Sequence, residues 1–283
     1  MAIVPVFDPT TGASGGSSGG GSTPTGQGEP KLVLDYSPRG TGGPYAGTYT
    51  GTDHTIEGVT WKIQNQTSGA STIGTVNLTA TGLQLSHTGT TGEPMALRLD
   101  ASALTGMTGA LNGMCVQASF AVAAWAKSNT SVNLLVNQAM PANAGGAYTQ
   151  YDMQAQAIRF NATNYGVRAQ RRNASGSTTY SYSTTNLSSS GAPANVTLGL
   201  FGSAYTWWIG GDTTAGPAAF QAVGTGANQR KMIMPSGGAY YPGSNPDGAG
   251  IDHPVISLLI GSTATGTDEF TLTNLRIWTY GNP

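Results

Sequence analysis

The sequence predicts an all-β chain, an antiparallel β-sandwich preceded by an extended N-terminal arm, and three observations carry that prediction. Of 283 residues, 42 are Gly and only 9% are charged, so the helix formers Glu and Lys are scarce and turn and strand formers dominate. Short runs of alternating apolar and polar residues recur along the chain, bounded by Gly, Asn and Ser. No segment sustains a helical period, and no repeat of about 20 to 50 residues marks a solenoid or propeller. The length allows one sandwich with a sizeable core.

Residues 1–30 read as the arm. Ile3, Val4, Val6 and Phe7, set among prolines, make an apolar hook too short to own a core, and the Gly/Ser-rich stretch that follows is a linker. Its random-coil span is roughly 25 Å and its extended reach about 60 to 70 Å. The hook is therefore expected to bind a partner surface, most simply by adding a strand to an exposed sheet edge.

Residues 31–58 are expected to lead into the domain, with one short strand at 31–36 and a turn at Gly42, Gly43 and Pro44. The sandwich proper is placed at 59–283. Its strands are expected at 59–66, 72–80, 82–87 and 95–100, then, after a short helical or turn segment at 101–107, at 114–126. In that last run Val116, Ala118, Phe120, Val122 and Ala124 alternate with polar or small residues. Strands at 131–138, 148–160, 165–172 and 178–183 follow.

Residues 195–212 predict a hairpin: Val196, Leu198 and Leu200 alternate in its first strand, Gly202 and Ser203 turn it, and Tyr205, Trp207 and Ile209 alternate in the second. Further strands are expected at 217–224, 230–234, 254–261 and 269–280. In the last, Phe270 and Leu272 share one parity and Leu275 and Ile277 the other, which a single strand accommodates only with a bulge or bend near Thr273 and Asn274. The expected core includes Val116, Phe120, Val122, Leu198, Leu200, Leu272 and Ile277.

The hairpin ending Trp207-Trp208-Ile209-Gly210-Gly211 and the terminal run Leu272-Thr273-Asn274-Leu275-Arg276-Ile277-Trp278 resemble the late hairpin and last strand of the concanavalin A-like, or laminin G-like, jelly rolls. The resemblance covers the order of elements from about residue 56 to the end and implies a concanavalin-like jelly roll. It does not fix an activity. Glycosidases of that group carry E-x-D-x-x-E or a close variant on one strand, and this sequence has none; its adjacent carboxylates, Asp268 and Glu269, would point to opposite faces.

Other candidates for chemistry are thin. Gly12 to Gly16 matches G-x-S-x-G but lies in the linker, without the strand-turn-helix context of a nucleophile elbow. Two of the three histidines follow an aspartate, at Asp53-His54 and Asp252-His253, with no nucleophile placed beside them. No zinc-ligand spacing appears. Asn245, Asp247 and Asp252 offer hard oxygen donors to Ca²⁺, although their spacing is not that of an EF-hand and N-P-D-G is an ordinary turn. No cofactor and no catalysis are expected.

Binding is the better-supported chemistry. Tyr148, Tyr151, Tyr165 and Trp208 could stack on sugar rings, or equally fill a core or a subunit interface. Arg168 and Arg172, with Arg159 and Arg171, form a basic cluster suited to an acidic neighbouring subunit or a sugar acid, or to a solvated face.

A net charge of −1 gives no global footprint for nucleic acid. No apolar run is long enough to span a bilayer, and the N-terminus lacks the basic region of a secretory signal, its apolar stretch being broken by Pro5. The single Cys115 excludes an intramolecular disulfide. A non-exported, weakly charged, Gly/Ser/Thr-rich sandwich with a hook on a linker resembles a virion structural protein of a tailed bacteriophage, of the capsid decoration or head-fibre type. That resemblance implies synthesis in the host cytoplasm, attachment through the arm to other virion proteins such as the major capsid protein, and a homo-oligomer, with a trimer as the expected form. The alternative function is a carbohydrate-binding module or a tail-associated receptor-binding adhesin.

Overall fold

The computed structural model describes residues 30–90, 94–100, 114–137, 153–172, 178–188, 191–201, 206–211, 229–233, 255–261 and 264–280. These form β1 (Pro30–Tyr36), β2 (Thr52–Ile56), β3 (Val59–Gln64), β4 (Gly74–Thr79), β5 (Gly82–His87), β6 (Met95–Asp100), β7 (Met114–Trp125) and β8 (Thr130–Asn137). They continue with β9 (Met153–Arg159), β10 (Tyr165–Arg172), β11 (Thr178–Ser188), β12 (Asn195–Phe201), β13 (Thr206–Gly211), β14 (Gln229–Ile233), β15 (Val255–Gly261) and β16 (Asp268–Tyr280). No helix occurs among the described residues, and the fold is an all-β antiparallel sandwich of the jelly-roll kind.

The first sheet runs β14-β13-β12-β7-β16-β5-β4, and the second runs β11-β10-β9-β8-β15-β6-β3-β2. The long β16 has β7 along one side; on the other, β5 takes its first half and β1 its second. Between the sheets lies one apolar core. Val116, Ala118, Phe120, Val196, Leu198, Phe270, Leu272, Leu275 and Ile277 face inward from the first sheet, and Trp61, Ile63, Leu97, Leu99, Val132, Leu134, Ala155 and Ala157 from the second. Each fully buried large side chain is worth about 1.5 to 3 kcal/mol relative to exposure, so this core is the main adhesive between the layers.

Two register shifts let β7 and β16 keep their apolar residues inward. One falls between Leu272 and Asn274, where Thr273 is the extra residue, and it carries the parity change from Leu272 to Leu275. The other lies opposite Glu269 and Phe270, where β7 carries Ala123 as its extra residue. Beyond it Trp125 turns into the core and packs edge-on against Tyr165 and Phe270, with ring centroids 5.1 Å away in both cases. The same shift corrects one expectation: Val122, beside the bulge, is half-buried and packs against the core rather than inside it. Leu200 belongs to β12, but its side chain lies outside the described ones.

The segment expected as a lead-in contributes to both sheets. β1 pairs with the terminal strand, and β2 forms a hairpin with β3. Ile56 pairs with Val59 across a two-residue turn in which Glu57 and Gly58 both have positive φ, 49° and 79°, the geometry that matches strand twist in a tight hairpin. Between them the chain runs beside β4, with Gly42 N to Leu78 O at 3.1 Å and Tyr45 N to Val76 O at 2.8 Å. It then crosses to β3 and its end, where Asn65 Oδ1 accepts from Gly47 N at 2.8 Å. That stitch covers the edge strand β4, which would otherwise offer open backbone groups. The expected helical or turn segment at 101–107, the strand at 217–224 and the arm up to residue 29 lie outside the described residues.

Candidate functional site

The second sheet carries a polar band on the face turned away from the core. Val132 and Leu134 of β8, Ala155 and Ala157 of β9, and Leu97 and Leu99 of β6 belong to the apolar cluster. The alternate residues Ser131, Asn133, Gln154, Gln156 and Arg98 therefore occupy the opposite face. Register places all of these but Ser131 in two rows that cross the sheet. Arg168, Gln156, Asn133, Leu259, Ala96 and Gln64 stand side by side on β10, β9, β8, β15, β6 and β3. The next row is Gln170, Gln154, Leu135, Ser257, Arg98 and Lys62. With about 4.8 Å between strands, each row extends about 24 Å.

The middle of the band is buried and hydrogen-bonded. Gln154 Nε2 donates to Asn133 Oδ1 at 2.6 Å, Asn133 Nδ2 to Ser131 Oγ at 3.0 Å, and Gln156 Nε2 to the same Ser131 Oγ at 2.7 Å. Ser131 Oγ thus accepts twice and keeps its own hydrogen for a further acceptor. Gln156 is 5% exposed, and its Oε1 has no hydrogen-bond partner. Turning the amide over would exchange the open acceptor for an open donor and leave one end of it unused. At the far end Gln64 Nε2 donates to the Tyr49 carbonyl, and Gln64 Oε1 is a second buried open acceptor. Leaving a buried acceptor open costs about 1 to 3 kcal/mol, so the band is a polar surface with unused capacity on it.

Cations flank these amides. Arg98 is buried, and desolvation lowers it from its ordinary value to about 10. Lys62 stands opposite Arg98 in register and is held by Asp53 at 2.9 Å. Arg168 is half-buried beside Gln156. Solvent thus reaches the band at its two ends, near Arg168 and Lys62.

A second polar constellation lies at one end of the first sheet and was not visible in the sequence. Lys127, just past β7, puts Nζ 2.9 Å from His87 Nδ1 and donates to the Gly89 carbonyl at 2.7 Å. Asp268 Oδ1 accepts from the backbone N–H groups of Ala126, at 2.7 Å, and Lys127, at 3.0 Å. All three side chains are buried. Burial pushes the Asp268 carboxyl above its ordinary value, against the pull of these N–H groups and of Thr130, and it lowers Lys127. Within this sandwich the constellation ties the β7–β8 turn to β5 and β16.

The residues singled out in the sequence are dispersed. Tyr165 takes its packing role: it is buried in the core against Trp125, with the Arg159 guanidinium 5.8 Å from its ring centre. Arg159 itself bonds the Trp125 carbonyl at 2.8 Å and the Asn161 carbonyl at 3.0 Å, so the basic cluster is split and Arg168 alone of the described arginine side chains joins the band from it. Asp53 and His54 part company, Asp53 to Lys62 and His54 to the Ala46 carbonyl at 2.6 Å. The backbone of Trp208 stands opposite Gly199 and Lys231, and that of Arg172 opposite Thr178; their side chains lie outside the described ones. Ile3, Val4, Val6, Phe7, Tyr148, Tyr151, Asn245, Asp247, Asp252 and His253 also lie outside the described residues. Among the described residues no group of three or more His, Cys, Asp or Glu is arranged to hold a metal.

No protein-family model matches the chain, and no curated protein matches it by sequence. Solved structures with a similar chain course include a legume lectin-like domain from Entamoeba histolytica, at 8% identity and a TM-score of 0.45, covering 83% of this chain and 99% of the other. The CBM2 module of the evolved Dit protein of Lactobacillus casei BL23 phage J-1 aligns at 9% identity and a TM-score of 0.42, over 92% and 99% of the two chains. An alginate lyase from Pseudomonas aeruginosa aligns at 10% and 0.44, over 79% and 98%. Binding modules and an enzyme stand side by side in this company, and a shared build does not pass on an activity.

Proposed function

We propose that this chain is a non-enzymatic glycan-binding sandwich and that the polar band of the second sheet is its binding face. The observation that carries the reading is the Gln156–Ser131 pair. A buried amide oxygen without a donor stands next to a serine hydroxyl that already accepts twice and has a hydrogen to give. A sugar hydroxyl is both donor and acceptor and would complete both groups at once where binding uncovers them, since both lie buried in the free chain. The amides of Gln156, Gln154, Asn133 and Gln64 are spread over four strand-to-strand steps, about 19 Å, which suits a chain of such hydroxyls better than a single small molecule. The described side chains of the face supply one carboxylate, Asp53, and it is engaged by Lys62; two free carboxylates across a cleft would be needed for ordinary glycoside hydrolysis. The test is a binding screen of the full chain against neutral and acidic oligosaccharides, with Gln156→Leu alongside. Saturable binding that Gln156→Leu removes, without loss of folding, supports the reading; a folded parent chain that binds none of the panel overturns it.

The setting we propose for this module is a virion. Residues 1–30 combine an apolar hook with a linker, which suits a protein anchored to a particle, by way of the major capsid protein or a tail component, with its sandwich presented outward. Repeated copies, as a homo-oligomer or across a symmetric shell, would add avidity to modest single-site affinity. Removal of the arm tests that setting separately from glycan binding.

A further inference from the structure

The corner that carries the chain from β7 in the first sheet to β8 in the second is tied down by a hydrogen bond between two basic side chains. Lys127 Nζ lies 2.9 Å from His87 Nδ1 and 2.7 Å from the Gly89 carbonyl oxygen, and both side chains are buried. An ammonium has hydrogens to give and no acceptor, so the bond holds only while the Nδ1 lone pair of a neutral His87 receives it. We infer that this pair is a proton-released latch: acid protonates His87 at Nδ1, sets two cations side by side and frees the β7–β8 corner. The latch stands apart from the glycan reading.

The groups around the pair make the release acid-driven and local. His87 is in register with Asp268 on β16, and Asp268 with Trp125 on β7, so latch and corner share one row at the end of the first sheet. Asp268 Oδ1 accepts the Ala126 and Lys127 N–H groups, and Arg159 of β9 bonds the Trp125 carbonyl. β4 sets Gly74 opposite His87 and has no titratable residue, β6 reaches Gly74 with Met95, and Glu269 points to the face opposite Asp268. Burial raises the Asp268 carboxyl, so its protonation favours the closed corner and cannot be what opens it. Burial also lowers Lys127, the mark of a place that tolerates positive charge poorly. A proton has a short way to travel, since Thr88 beside His87 and Ala126 and Asn129 of the turn are exposed. Once released, the long lysine chain can carry its ammonium out to water. The β7–β16 ladder and the Arg159 bond do not depend on that proton, so the strands stay paired while the turn opens. The turn leads straight into Thr130 and Ser131, so acid loosens the start of the strand that borders the polar band.

The experiment is hydrogen–deuterium exchange of the full chain from about pH 8 to about pH 5, the range in which histidine side chains change charge, with rates corrected for the intrinsic pH dependence of exchange. The amides of Ala126, Lys127 and Asn129 are hydrogen-bonded in the closed corner. They should lose protection by up to about ten-fold per pH unit, the limit for uptake of one proton, while Ala118 and Leu272 in β7 and β16 stay protected. His87→Gln keeps an acceptor for Lys127 and cannot take the proton, and Lys127→Met removes the second cation, so either variant should abolish the acid response. If circular dichroism shows that His87→Gln does not fold, Lys127→Met decides. An acid response that persists in the folded variants overturns the latch, as does a parent whose corner keeps its protection across the whole range. Loss of protection that runs in step through β7 and β16 also overturns it, because that is acid unfolding of the whole sandwich.

Discussion

Thr273 Oγ1 donates a 3.1 Å hydrogen bond to the Ser119 carbonyl, at the point where β16 carries a residue that β7 does not oppose. Leu272 pairs with Phe120 and Asn274 with Ser119, so Thr273 is the insertion that lets Leu272 and Leu275 both face the core. Deleting Thr273 should send Leu275 and Ile277 to the outer face, because a one-residue slip reverses every side chain beyond it. The expected result is loss of a cooperative melting transition. Thr273→Ala, which keeps the bulge and removes one hydrogen bond, should cost about 0.5 to 1.5 kcal/mol. A deletion variant that melts like the parent would contradict the account of the bulge.

Phe120 lies at the centre of the core between β12 and β16, with Val196 and Leu272 as its cross-strand neighbours. Phe120→Ala should cost about 3 to 5 kcal/mol. Chemical denaturation measures it, and a midpoint within experimental error of the parent would show that this position is not the packed centre of the sandwich.

Asp268 sets a pH dependence whose sign can be worked out. Its folded pKa is raised above 3.8, chiefly by burial. Its contribution to stability is therefore full below the unfolded value and is lost as pH rises through the folded value. Lys127, lowered from 10.5 by burial, acts in the opposite sense and loses stability as pH falls through its own folded value. Asp268→Asn keeps an acceptor for the Ala126 and Lys127 N–H groups and removes the ionisation, so it should flatten the acid side of the stability profile. Asp268→Ala orphans both donors and should cost about 1 to 3 kcal/mol. Melting profiles of the three proteins from about pH 4 to about pH 8 check this; parallel profiles for parent and Asp268→Asn would contradict it.

The arm should matter for assembly and not for folding. Removing residues 1–29 takes away the hook, Ile3, Val4, Val6 and Phe7, and the linker, while β1 and its pairing with β16 remain. The melting temperature should stay nearly unchanged and incorporation into particles should be abolished. Full decoration of particles by the truncated protein would contradict the proposed attachment.

Most of the fold was legible because its punctuation is local. β5, β6 and β10 begin and end at the residues where alternation and turn chemistry place them, and the parity change in β16 announces its bulge. β2 was not, because its hairpin turns on Glu57-Gly58, a weaker signal than Asn-Gly, and the strand reads as loop until β3 is there to pair with it. The band was half legible. Gln154 and Gln156 alternate with Ala155 and Ala157, which marks a two-faced strand, but small apolar residues on one side and amides on the other do not reveal that the amides are also buried. The Lys127–His87–Asp268 constellation was invisible for a different reason: its members are distant in sequence, 40 residues between Lys127 and His87 and 141 between Lys127 and Asp268, and the topology alone brings them together.

The most direct test of the central claim is to follow the side-chain amide resonances of Gln156, Gln154 and Asn133 while the full chain is titrated with the tightest binder from a panel of neutral and uronate oligosaccharides. Gln117 serves as the internal control, since it lies on β7 and pairs with Gly199 and Arg276 in the first sheet. The account predicts that the three amides of the band shift together and saturate at one affinity, with Gln156 shifting most and Gln117 unmoved. Shifts that gather at Gln117 while the Gln156 amide stays in place would put the ligand on the other sheet and contradict it.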